Sequence, residues 1–183
     1  MHGELTWGYL YRRFIPPHST THRVLVPDHM GFGKSETPRD REYSLRTHVD
    51  NLTRLIEALD PRNITLVMQD WGGLIGSAFT LRHPDRVRRL FLLNTLTGYG
   101  KTSAGSTPWF QFILKHNKAG TLGEVLGHLD VNILSMMKTQ GLENLSTVDS
   151  HWFAAYGSAF PTKEACIGAI EFPLDALDRS VPQ

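Results

Sequence analysis

Gln69-Asp70-Trp71-Gly72-Gly73 places an acid where a strongly apolar run, Asn63 to Met68, gives way to the helix-like Leu74-Ile75-Gly76. A strand that ends this way and turns at once into a helix projects one side chain from the top of a sheet and sets backbone N–H groups beside it. Here that side chain is a carboxylate, which can attack carbon directly and be released later by water, covalent catalysis through an ester. Asp is also a good N-cap for the helix that follows, so capping is the competing reading of Asp70.

The elements that must hold this acid are legible around it. Arg23-Val24-Leu25-Val26-Pro27 is a short β-branched run closed by Pro27-Asp28, which predicts a buried strand and a turn, and Gly31, Gly33 and Ser35 make the next loop flexible. From Ser44, an N-cap by residue type, Val49, Leu52, Ile56 and Leu59 recur at three- and four-residue steps, an amphipathic helix ended by Pro61 and Asn63. Ile64 to Met68 is apolar enough for a parallel strand buried on both faces. The helix after Asp70 should stop near His83-Pro84, and Val87 to Asn94 gives a third strand. Strand, helix, strand, helix, strand is the order of a parallel α/β sheet. After Thr97 no strand-like run appears: Gly98 to Pro108 reads as loop, and Trp109, Phe110, Phe112, Ile113, Leu122, Val125, Leu126, Leu129, Ile133 and Leu134 predict short helices. Such an insertion beside the sheet top would form a lid over Asp70.

Composition narrows the partners. The 183 residues suit one domain plus an insertion, burying roughly 70% of the unfolded surface. With 19 Lys and Arg against 18 Asp and Glu, the net charge of +1 makes no electrostatic case for nucleic acid or an anionic membrane. Cys166 is the single cysteine and cannot form an internal disulfide; no stretch reaches the ~20 apolar residues of a membrane span, and Met1-His2-Gly3-Glu4 is unlike a signal peptide. The expectation is a cytoplasmic chain without metal or cofactor, acting on a small neutral molecule and water.

Two further motifs lie in order before the acid. His2-Gly3-Glu4-Leu5-Thr6-Trp7 resembles the His-Gly turn that supplies one backbone donor of an oxyanion hole in α/β-hydrolases, and Asp28-His29-Met30-Gly31-Phe32-Gly33-Lys34-Ser35 resembles their D-x-x-G-x-G-x-S loop. Within that superfamily the chain is most similar to haloalkane dehalogenases, through His2 to Arg12, Gly31 to Ser35 and Asn63 to Gly73, and more weakly through Ala154-Ala155-Tyr156 and Phe160-Pro161. The resemblance implies a partial α/β-hydrolase parallel sheet in residues 1–97 and an incomplete helical cap in residues 98–183.

It also implies a mechanism: Asp70 displaces halide in line, and water then cleaves the alkyl ester. Trp71, whose indole N–H only donates, would bind the leaving halide, with Trp109 and Trp152 the candidates for a second donor. Many relatives carry Asn after the His-Gly turn, where this chain has Glu4. The backbone N–H groups of Glu4 and Trp71 would hold the oxyanion during hydrolysis. Asn94 sits where one subgroup keeps its catalytic acid; Asn there fits the arrangement in which the acid lies one strand later. That strand and the catalytic histidine have no counterpart here. None of the nine histidines substitutes: His2 belongs to the oxyanion turn, His29 to the following loop, His83 to a helix end, His116, His128 and His151 to the lid, and His18, His22 and His48 to the surface.

The resemblance further implies truncation at both ends, with a strand missing between those at Val24 and Ile64. Open strand edges would favour self-association. An epoxide hydrolase shares Asp-Trp-Gly-Gly but needs two lid tyrosines, and only Tyr99 and Tyr156 follow the third strand. A non-catalytic fragment or pairing module is the remaining alternative.

Overall fold

The computed structural model describes residues 1–98, 108–126, 146 and 148–180. Helix α1 (Ile15–Ser19) carries Pro16 and Pro17 in its first turn, where a missing N–H costs nothing. Helix α2 (Leu45–Leu59) begins at Ser44, whose hydroxyl accepts from the Thr47 N–H at 3.3 Å. It buries Val49, Leu52 and Ile56, the stripe its spacing predicts.

Strand β1 (Ile64–Gln69), helix α3 (Trp71–Arg82) and strand β2 (Val87–Leu93) form one parallel β-α-β unit, with Leu66 opposite Leu90 and Gln69 opposite Leu93. Helix α3 lies on the Leu66 and Met68 face of β1: a Cβ on Gly76 would meet the Met68 Sδ at 2.3 Å. Ile75 and Phe79 from α3 complete this part of the core.

Two expectations fail here, for one reason. Arg23 to Val26 forms no strand; Leu25 is exposed, and the sheet has two strands among the described residues. A β-branched run becomes a strand only when a neighbour offers its N–H and C=O groups, and none of the described residues forms a strand beside it. Nor is Ile64 to Met68 buried on both faces: Leu66 and Met68 are buried, while Thr65 is exposed. The far edge of β1 carries a single parallel rung, from the Met1 amine to Val67 O at 2.6 Å and from Gln69 N–H to Met1 O at 3.1 Å. On β2, Leu90, Phe91, Leu92 and Leu93 are 39 to 54% exposed, an apolar strand with neither face covered by the described residues.

Beyond residue 98 the described residues form helices: α4 (Pro108–Lys118), α5 (Leu122–Leu126), α6 (Ser150–Gly157) and α7 (Ile167–Ser180). Trp109, Phe110, Phe112 and Ile113 fall on α4, and Leu122, Val125 and Leu126 on α5. Leu129, Ile133 and Leu134 lie outside the described residues. Ile113, Leu122, Phe160, Ala169 and Phe172 join one apolar cluster with Leu66, Met68 and Phe79, so these helices share a core with the β-α-β unit.

Candidate active site

Asp70 ends β1 and precedes α3 with φ 52° and ψ −127°, a left-handed conformation that a non-glycine residue adopts only under constraint. It stands at the N-cap position, yet its side chain makes no capping bond. The capping reading therefore loses its physical basis. The Asp70 carbonyl accepts from the Gly73 N–H at 3.0 Å and from the Thr95 hydroxyl.

The carboxylate faces the His2-Gly3-Glu4 turn instead. Its Oδ1 accepts from the Glu4 N–H at 2.8 Å, and the Trp71 N–H is a weaker electrostatic influence on the carboxyl. Burial pushes the Asp70 carboxyl above its usual value, and these two N–H groups pull it back down. Of the two backbone donors expected from sequence, Glu4 makes the hydrogen bond to this carboxylate.

Gly3 is what permits the approach, because a Cβ there would sit 2.1 Å from Asp70 Oδ1. Gly3→Ala is expected to force the turn and the carboxylate apart, at a cost of about 1–3 kcal/mol in stability. Denaturant midpoints check this; an unchanged midpoint would show that the turn yields freely.

The turn is braced from behind. Asp28 Oδ1 accepts from the Gly8 N–H at 2.5 Å and Oδ2 from the Lys34 N–H at 2.9 Å, while the Ser35 hydroxyl donates to Asp28 O at 2.7 Å. This gives a physical role to the ends of the Asp28 to Ser35 motif. The Trp7 indole N–H donates to Ala155 O at 3.1 Å, joining the same turn to α6.

His48, expected at the surface, is buried with His2 and His29. Its position on α2 adjoins Val49 on the inward stripe, and it packs edge-on against Phe172 with ring centroids 4.4 Å apart. His2 accepts the His29 N–H at Nε2 (2.9 Å) and donates from Nδ1 to Gly3 O (2.9 Å); His29 Nε2 donates to His2 O (3.0 Å). These bonds suit a neutral His2 protonated at Nδ1 and place a proton on His29 Nε2. Burial lowers all three histidines, His2 to about 4, His48 to about 3 and His29 well below its ordinary value.

In the unfolded chain these rings take up protons below pH about 6.5, whereas in the folded chain they do so only at lower pH. The three rings therefore add no pH dependence above about pH 6.5 and cost stability as acid is added, by about 3 kcal/mol or more on reaching pH 4. The buried Met1 amine, lowered from 8.0 to about 5, adds a loss that starts at higher pH. Denaturant titrations at pH 7.5, 6, 5 and 4 would detect it. A flat profile would mean that the rings are hydrated.

The aromatic candidates separate. Trp71 is buried and stacks on Phe172, centroids 4.6 Å apart at 30°. Trp152 is half-buried against Tyr156 at 4.5 Å and Phe153 at 5.4 Å, with no described contact to Trp71. Trp109 lies on α4, but its side chain is outside the described residues. Tyr156 is buried, Tyr99 lies outside the described residues, and Asn94 is exposed at φ 45°. No cluster of His, Cys, Asp and Glu among the described residues could hold a metal, and no helix among them is long and apolar enough to cross a membrane.

Sequence reasoning passed over three contributors: Thr95, Phe172 and the buried His48. Thr95 was discoverable in principle, since it follows β2 at the sheet end that carries Asp70. Phe172 and His48 depend on how α7 meets α2, which local pattern does not encode.

The α/β-hydrolase fold family matches residues 1–153. A haloalkane dehalogenase from Psychrobacter cryohalolentis is 36% identical over 183 aligned residues, covering 95% of this chain and 54% of that protein. A cis-3-alkyl-4-alkyloxetan-2-one decarboxylase from Shewanella oneidensis is 42% identical over 98 residues, covering 52% of this chain and 31% of that protein. Among solved structures, the tetrameric haloalkane dehalogenase DpaA from Paraglaciecola agarilytica NO2 superposes with a TM-score of 0.76 at 34% identity, covering 98% of this chain and 60% of that one. The chain spans about half the length of the full dehalogenase it matches, or less for the decarboxylase. Fold, matched span and relatives agree, and the chain belongs to the α/β-hydrolase fold family, within which it resembles the haloalkane dehalogenases.

Proposed function

We propose that this chain carries the nucleophile half of a haloalkane dehalogenase-type hydrolase, with residues 1–97 as partial core and 98–183 as cap. The observation that carries the reading is the Asp70 carboxylate, held by the Glu4 N–H at a left-handed strand-to-helix turn. Oδ1 is held by the Glu4 N–H, which leaves Oδ2 to attack. An sp³ carbon takes a new C–O bond as its carbon–halogen bond breaks, and the halide leaves with the electron pair. Oδ1 becomes the ester carbonyl, so the Glu4 N–H meets the oxyanion when water adds, with the Trp71 N–H as the second donor. Trp71 donates to the departing halide, with Trp109 or Trp152 as second donor.

Ester hydrolysis needs a base. His2 has both ring nitrogens engaged by backbone groups, His29 donates from Nε2 to His2 O, and His48 packs against Phe172; no described contact places any of the three rings against the Asp70 carboxylate. The chain should form the ester and stall, releasing at most one halide per protein. The exposed apolar strand β2 and the single rung on the outer edge of β1 support association with another polypeptide, including a second copy.

The relationship to the Shewanella oneidensis decarboxylase supports a second reading. A four-membered lactone also offers an sp³ ring carbon, with a carboxylate as leaving group, to an Asp nucleophile. The epoxide reading is the third. Incubating the chain with 1-bromobutane, styrene oxide and a cis-dialkyl oxetan-2-one separates them: halide release near one per chain is expected. Multiple turnovers of halide would contradict the stall, and diol or carbon dioxide without halide would move the assignment to the epoxide or lactone class.

A further inference from the structure

Asp70 sits at φ 52°, and its carbonyl meets a residue from the loop after β2. The Thr95 hydroxyl donates to the Asp70 carbonyl, which also accepts from the Gly73 N–H at 3.0 Å. Thr95 reaches this position only because residue 73 is glycine: a Cβ there would lie 2.0 Å from Thr95 Oγ1 and 2.6 Å from both Thr95 Cγ2 and Leu96 O. The pairing of Gln69 with Leu93 brings the ends of both strands level, so the first residues after β2 lie over the turn. The acid is therefore gripped on two sides, by Gly3 and Glu4 at its carboxylate and by Thr95 at its carbonyl.

We infer that Thr95 is a positioning residue, whose hydroxyl clamps the Asp70 turn in the geometry that aims the carboxylate for attack. This rests on Asp70 being the nucleophile. Without the clamp, φ at Asp70 can relax from 52° toward the ordinary region, and rotation there swings the carboxylate away from the Glu4 N–H. Displacement of an attacking atom by about 1 Å costs on the order of 10²-fold in rate.

The test compares the full chain with Thr95→Val, which keeps shape and loses the hydroxyl, and Thr95→Ser, which keeps the hydroxyl. Two readouts are taken: the rate of alkyl-adduct formation with 1-bromobutane by intact mass, and amide hydrogen exchange at Gly73. The expected result is a loss of about 10²-fold in adduct rate for Val and near-normal behaviour for Ser, with Gly73 exchange accelerated in Val alone. Equal adduct rates in wild type and Val, or equal losses in Val and Ser, would overturn the inference. Should wild type form no adduct, the nucleophile assignment fails instead, and Gly73 exchange still decides the clamp: unchanged protection in Val removes it.

Discussion

Replacing Asp70 by Asn is expected to lower adduct formation and halide release by about 10⁴-fold or more relative to the unmodified chain. The amide nearly matches the carboxylate in shape, so the fold has little cause to change, but it lacks the charge and the free oxygen pair that attack carbon. It also places an NH₂ group where the Glu4 N–H now donates, unless its carbonyl oxygen turns toward that N–H. Asp70→Ala serves as a second variant without that ambiguity. Wild type carries a matching pH signature. Because burial raises the Asp70 carboxyl, adduct formation should weaken on acidification at a pH above the ordinary carboxylate value of 3.8. A variant that still released halide stoichiometrically would place the nucleophile elsewhere.

Trp71→Phe is expected to lower the rate of halide displacement by about 10²-fold, by analogy with removing one preorganised donor from an oxyanion site. Phe retains an aromatic face to stack on Phe172, now 4.6 Å from the indole, and deletes the N–H proposed to meet the leaving group. The loss should grow with the charge density of the leaving group, larger for chloride than for iodide, because the donor acts on developing charge. Stopped-flow halide release with 1-chlorobutane and 1-iodobutane reads this directly. Equal rates in both proteins would leave Trp71 a packing residue.

The site was legible in sequence to the extent that its chemistry is local. Asp70, the Glu4 and Trp71 donors and the Ser44 cap are written in short motifs, and the geometry brings the first three together across 66 residues of chain. The α2 stripe and the α3 end near His83 follow from periodicity and a proline. What failed depends on neighbours. Arg23 to Val26 has the composition of a strand without a partner for its backbone, and Ile64 to Met68 has the composition of a doubly covered strand with one face packed. His48 looked exposed because histidine on a helix is usually wet; here α7 delivers Phe172 over it. Thr95 escaped notice because a single hydroxyl after a strand carries no pattern.

The central claim is that Asp70 is alkylated. After incubation of the 183-residue chain with 1-bromobutane and acid quench, digestion and peptide mass mapping should find one butyl group, on the carboxylate of Asp70, with one halide released per chain. A butyl group on another residue, or halide release with no retained butyl group, would contradict it.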